Sequence, residues 1–128
     1  MRIAARVSNT NSGHRVEVET EGRKQSIAIA AKSGGRGSSV NGGELLFAAL
    51  ATCFCNDLYR EAAKRGIEVH GLEVDVTGTF GSPGEPARDI SYRVQAQADA
   101  TPAELARRTP SGKLEDAFHA LTRGETAA

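Results

Sequence analysis

Hydrophobic and polar residues alternate in three short runs at the start of the chain. Ile3, Ala5 and Val7 share one parity against Arg2, Ala4 and Arg6; Val16 and Val18 oppose Arg15, Glu17 and Glu19; Ile27 and Ile29 lie on one side of Gln25 to Ala31. A period of two is the signature of half-buried strands. The segments between them, Asn9–Gly13 and Glu21–Lys24, have turn composition. The pattern predicts a three-stranded antiparallel meander. After Lys32–Val40, a glycine-rich loop, the period changes. Leu45 to Ala51 is apolar at every position, and no charge appears until Asp57. From Asn56 to Arg65 the run turns amphipathic, with Leu58, Ala62 and Ala63 on one stripe.

This stretch predicts one long helix with both ends marked. Asn41 is a good N-cap, and Glu44 three residues later completes a capping box. Lys64 and Arg65 suit the negative end of the helix dipole, and Gly66 suits a C′ stop. Gly42 to Arg65 would run roughly 36 Å. A helix apolar all round is buried all round, so the first half is expected in a core or an interface and the second half at the surface. The charge-free run is too short to span a bilayer. Beyond the helix, Ile67–Phe80 and Arg88–Asp99 alternate again and predict two long strands joined by a Gly81–Ala87 loop. Thr101-Pro102-Ala103-Glu104 predicts the start of a short second helix, and Lys113–Arg123 another turn or two.

Composition narrows the picture. The 128 residues suggest a single domain over 1–128, and sixteen basic residues balance sixteen acidic ones. No basic patch or spaced aromatic motif points to nucleic acid. The first residues lack the apolar core of a signal peptide, and two cysteines two apart are no disulfide framework. The expectation is a soluble cytoplasmic protein with reduced thiols. The glycine-rich loop precedes a helix N-terminus, where a phosphate can bind. It carries neither a Gly-Lys-Ser/Thr ending nor dinucleotide spacing, and the competing reading is a flexible connection. The histidines, His14, His70 and His119, stand isolated in the sequence, so no metal or cofactor is expected.

The remaining chemistry lies in the helix at Cys53 and Cys55. Residues i and i+2 of a helix point about 200° apart, so the two thiols face opposite ways and do not pair without unwinding it. One reading is inert packing, since free cysteine often serves as a small hydrophobe. The other is a reactive thiol. That requires a nearby cation, because Cys53 is too deep in the helix for the dipole to act strongly. Arg15, Arg36 and His119 are the candidates.

The order of these pieces resembles the OsmC/Ohr family, the osmotically inducible and organic hydroperoxide resistance proteins. The resemblance rests on the Glu44-Leu-Leu-Phe-Ala-Ala-Leu-Ala-Thr-Cys53 helix, the Lys64-Arg-Gly-Ile67 end and the Leu72-Glu-Val-Asp-Val76 strand. It continues through Ala100-Thr-Pro-Ala-Glu104 and Leu121-Thr-Arg-Gly-Glu-Thr126, over nearly the whole chain. The resemblance implies an α+β fold: an intertwined homodimer with antiparallel strands around long, buried central helices. It implies a thiol peroxidase acting on organic hydroperoxides, with Cys53 as the attacking cysteine and with Glu44 and Arg15 as the groups that activate it. The alternative is a non-catalytic dimer of the same fold that holds a small apolar ligand. The family's second, C-terminal cysteine has no counterpart here; its place falls at about Asp116. A one-cysteine cycle would then need an external thiol reductant, with Cys55 as a possible secondary thiol. The family's activating Glu stands ten before the cysteine, at Gly43 here, with Glu44 one along.

Overall fold

A computed structural model describes residues 1–99 of the chain, which divide into two compact units, Met1–Leu45 and the residues from Leu46 onward. Among the described residues the protein is a small α+β chain with one helix and two antiparallel sheets.

In the first unit β1 (Ile3–Thr10), β2 (Gly13–Thr20) and β3 (Arg23–Ile27) form the expected meander in the order β1-β2-β3. Val7 pairs with Val16 and Ala5 with Val18, which collects the apolar parity on one face. Glu21 and Gly22 join β2 to β3 with φ of 48° and 80°. Two positive φ values in a two-residue loop make a turn whose twist matches that of the flanking strands.

The third strand is shorter than its alternation predicts. It ends at Ile27, because the next backbone groups bond to the glycine-rich loop instead of continuing the ladder. Ser39 N–H donates to the Ala30 carbonyl at 3.0 Å, and Lys32 N–H donates to that of Gly37 at 2.8 Å. Asn9 from β1 clamps the same loop: its amide nitrogen donates to the Gly37 carbonyl at 3.3 Å, and its amide oxygen accepts from Gly37 N–H at 3.1 Å. Arg36 hydrogen-bonds Asn11. The loop expected to be a flexible connection is therefore tied at several points.

Helix α1 (Gly42–Lys64) has the ends its sequence marks. Asn41 N–H donates to the Glu44 carboxylate at 2.9 Å, and Glu44 N–H donates to the Asn41 side-chain oxygen at 2.8 Å, a reciprocal capping box. At the other end Gly66 has a φ of 65°. Its N–H bonds the Ala63 carbonyl at 3.1 Å, while Ile67 N–H bonds that of Ala62 at 3.0 Å, the paired bonds of a Schellman stop.

In the second unit β4 (Val69–Phe80) and β5 (Ala87–Ala98) form a two-stranded sheet, with Val74 opposite Val94 and Val76 opposite Tyr92. Aromatic rings from α1 meet rings from the sheet. Phe47 stacks on Phe80 and Phe54 tilts against Tyr92, each with ring centroids 5.6 Å apart. Phe47 and Phe54 are seven residues apart and so share a helix face. Gly78 makes room for the first of these contacts: a Cβ built there would lie 2.7 Å from Phe47 Cζ.

Along α1 the stripe expected in the amphipathic half is buried at Leu58 and Ala62 but not at Ala63, and the first half, expected in a core or an interface, does not lie in a core of the single chain. Leu58 and Ala62, in the amphipathic half, are 2% and 3% exposed. Leu45 and Leu46, in the all-apolar half, are 39% and 45% exposed. A two-stranded sheet covers one stripe of a helix, so the opposite apolar stripe of a single chain faces outward. The apolar parity of the meander is similarly open at Ile3, Val7 and Ile27, while Val16 is buried. The second helix expected from Thr101 and the turns expected over 113–123 lie outside the described residues. No described helix is long and apolar enough to cross a membrane.

Candidate functional site

Cys53 lies on the outward stripe of α1. It is exposed, as are Ala49 one turn before it and Leu46 two turns before it. Cys55, turned by about 200°, is half-buried, and both thiols are free. Thr52, beside the candidate thiol, spends its hydroxyl locally by donating to the Ala48 carbonyl at 2.7 Å. The two thiols thus face different ways, as helical spacing predicts, with Cys53 exposed and Cys55 half-buried in the single chain. Exposure gives Cys53 access to a small electrophile. Thiolate character needs a cationic neighbour, and within its own unit no described cation hydrogen-bonds or ion-pairs with it.

The other residues singled out in sequence serve local roles in this single chain. Glu44 closes the capping box at the start of α1, and nine positions, two and a half turns, separate it from Cys53 along the helix. Arg15 projects from the polar face of the meander, opposite Ser8. With Arg6, Glu17 and Lys24 it lines an open groove of about 260 Å³ in the first unit. Lys24 is paired with Glu17 at 3.3 Å. Arg36 is engaged by Asn11. His119 lies outside the described residues. Four N–H groups of the glycine-rich loop, those of Lys32, Gly37, Ser39 and Val40, already bond within the protein, which leaves fewer donors for the phosphate reading.

Two clusters of charge escaped the sequence reading. Glu61 has no exposed surface, yet its carboxylate accepts hydrogen bonds from Lys64 at 2.7 Å, Arg65 at 3.2 Å and Arg60 at 3.3 Å. The Lys64 bond, ahead of the two arginines, holds the carboxyl below its ordinary pKa against the opposing effect of burial. An acid followed by basic residues three and four positions later was the available signal. The second cluster is His70, whose ring lies between Asp99 and Glu68. Nε2 is 2.6 Å from Asp99 Oδ1, and Nδ1 is 3.8 Å from Glu68 Oε1. The isolation of His70 in the sequence ends in the fold, because strand pairing carries Asp99 to it. These three are the described residues whose ligand atoms could gather round a metal ion, all within 4.8 Å of one another, and all three are exposed. The Asp99 hydrogen bond is the main cause of a raised His70 pKa.

A family model described as OsmC-like protein matches residues 35–109. That span includes all of α1, β4 and β5, and with them Glu44, Cys53 and Cys55. No curated protein matches the chain.

Proposed function

Because the chain belongs to the OsmC-like protein family, we propose that it is a thiol-dependent peroxidase that reduces organic hydroperoxides at Cys53. The observation that carries the reading is the placement of the two thiols: Cys53 exposed on an apolar helix stripe, Cys55 turned half inward. The thiolate sulfur of Cys53 attacks the outer oxygen of the peroxide. The O–O bond breaks, the alkoxide leaves and takes up a proton as the alcohol, and Cys53 becomes a sulfenic acid. An external thiol then displaces water to form a mixed disulfide. A second external thiol attacks that disulfide, releasing Cys53 as a thiol and the reductant as its own disulfide. Cys55 cannot resolve the sulfenic acid while α1 stays wound, which is why the reductant comes from outside.

The working form in this reading is a homodimer. Leu45, Leu46, Ile3, Val7 and Ile27 are exposed apolar residues that a second copy would cover. Activation of Cys53 is assigned to Arg15 and Glu44, brought to it in the assembled dimer, and the site is placed in the cytoplasm, where thiol reductants are available. A second reading has one observation in its favour. No described cation of its own unit hydrogen-bonds or ion-pairs with Cys53, which suits a non-catalytic dimer holding a small apolar molecule against the stripe of Leu46 and Ala49.

The test is mass spectrometry of the reduced protein after brief exposure to an organic hydroperoxide in the presence of dimedone, with Cys53→Ser alongside. Rapid dimedone adduct at Cys53, absent from the variant, supports the peroxidase. Thiols that stay unlabelled until the protein is unfolded would refute it in favour of the ligand-binding reading.

A further inference from the structure

The ladder between the two long strands skips one residue. Val69 pairs with Ala98 and Gly71 with Gln97, so His70 is the extra residue of a β-bulge and has no partner directly across from it. A bulge interrupts the ladder and re-aims a side chain. Here the imidazole stands between two carboxylates. Its Nε2 lies 2.6 Å from Asp99 Oδ1, and its Nδ1 lies 3.8 Å from Glu68 Oε1. Glu68 precedes β4 and Asp99 follows β5, and the main chain fastens the two: Asp99 N–H donates to the Glu68 carbonyl at 3.2 Å. Three side chains with ligand atoms thus converge at a junction whose backbone is already tied, although His70 and Asp99 are 29 positions apart in the chain.

We propose that Glu68, His70 and Asp99 form a binding site for a divalent transition-metal ion of the zinc type, which bridges the entry of β4 and the exit of β5. The donor set is one imidazole nitrogen and two carboxylate oxygens. Imidazole suits zinc and its first-row neighbours, and two carboxylates complete a three-ligand set with a position left for water. Calcium takes six to eight oxygen ligands and magnesium keeps to oxygen and water, so neither suits this set as well.

The geometry is within reach. One ligand atom from each residue gives a set in which all lie within 4.8 Å of one another. Around a tetrahedral ion with bonds of about 2.0–2.2 Å, ligand atoms stand about 3.3–3.6 Å apart. All three side chains are exposed, so they turn to close that gap without displacing packed neighbours. The ion takes one ring nitrogen, and the opposite one keeps its proton. An ion that binds the folded junction and not the unfolded chain also stabilises the pairing of the two strand ends.

The experiment uses the full chain with its thiols reduced. Zn²⁺ is titrated into the native protein, Glu68→Gln and Asp99→Asn, two substitutions that conserve side-chain size. NMR follows the His70 ring and the backbone amides of residues 68–71 and 97–99. The expected result is a saturable shift of the His70 ring and of those amides in the native protein, and none with Ca²⁺ at the same concentration. Each variant should weaken the affinity read at that ring at least about tenfold, since even the outer partners of metal ligands are worth about 10–100-fold. A His70 ring that Zn²⁺ leaves unmoved would overturn the site, whatever the ion does at the cysteines or the other histidines. An affinity at the ring left unchanged by either carboxylate variant would overturn it too, because His70 would then bind the ion without the full set. A ring that Ca²⁺ shifts as readily as Zn²⁺ would overturn the assignment of the ion.

Discussion

Replacing Gly78 by alanine perturbs the closest approach between helix and sheet in the second unit. The added methyl would lie 2.7 Å from Phe47 Cζ, 3.1 Å from the Arg88 carbonyl oxygen and 3.3 Å from Ile90 Cγ1. Carbon atoms in ordinary contact stand about 3.5–4.0 Å apart, so the Phe47 ring must retreat by about 1 Å and leave its stacking on Phe80. The Arg88 oxygen is main chain and cannot swing aside. Overpacking of this kind costs about 1–3 kcal/mol. Alanine recovers about 0.5–1 kcal/mol by restricting the unfolded backbone. The net expectation is a loss of about 1–2 kcal/mol, read as a lower urea midpoint with an unchanged slope. A double-mutant cycle with Phe47→Leu isolates the contact. On the leucine background, which lacks the far ring atoms, Gly78→Ala should cost less by at least about 0.5 kcal/mol. An unchanged or higher midpoint for Gly78→Ala, or an equal cost on both backgrounds, would refute the argument that Gly78 provides clearance for the ring.

Other substitutions separate roles that overlap in the single chain. Asn41→Ala removes the N-cap acceptor and should lower stability by about 1 kcal/mol in thermal or urea unfolding. Glu44→Gln keeps an acceptor for the Asn41 N–H and should stay within about 0.5 kcal/mol of the native protein. If Glu44 also serves Cys53, the same variant slows dimedone-trapped oxidation at an unchanged melting temperature; an unchanged trapping rate removes Glu44 from the site. For Glu61 the folded pKa lies below the unfolded one. Its contribution to stability is present above the unfolded value and is lost as pH falls through the folded value. Glu61→Gln should therefore flatten the acid limb of the stability curve, and an acid limb identical to that of the native protein would remove Glu61 as a source of acid sensitivity.

The features legible in the sequence are those fixed by near neighbours. Asn41, Glu44 and Gly66 act within a turn of themselves, and they bound the helix where the structure has it. Strand parity fixed β1, β2, β4 and β5 to within a few residues, because alternation needs no knowledge of the partner. What was lost depended on contacts distant in sequence. The early end of β3 follows from bonds between Ala30–Lys32 and Gly37–Ser39, and the clamp on that loop comes from Asn9. Exposure of Leu45 and Leu46 follows from how much of a helix two strands can cover. The pairing of His70 with Asp99 required both the ladder and the bulge. At the candidate site, residue type singled out Cys53, and helical periodicity predicted that Cys53 and Cys55 diverge. The capping role of Glu44 and the polar-face position of Arg15 were legible as well; a cationic partner for Cys53 was not, because such a contact joins residues distant in sequence.

The meander also sets an order of events in time. None of its pairings reaches further along the chain than Ile3 to Thr20, and its turns are two residues long. Hairpins of this kind close in about 1–10 μs. A ribosome adds about 5–20 residues per second, so the stretch from β3 to the end of α1 takes seconds to appear. The register of the first sheet can thus be tried and settled many times before Cys53 exists in the chain. The nascent protein would present the apolar face of Ile3, Val7 and Ile27 while its helix is still being made. Any partner that covers this face could meet it before synthesis finishes.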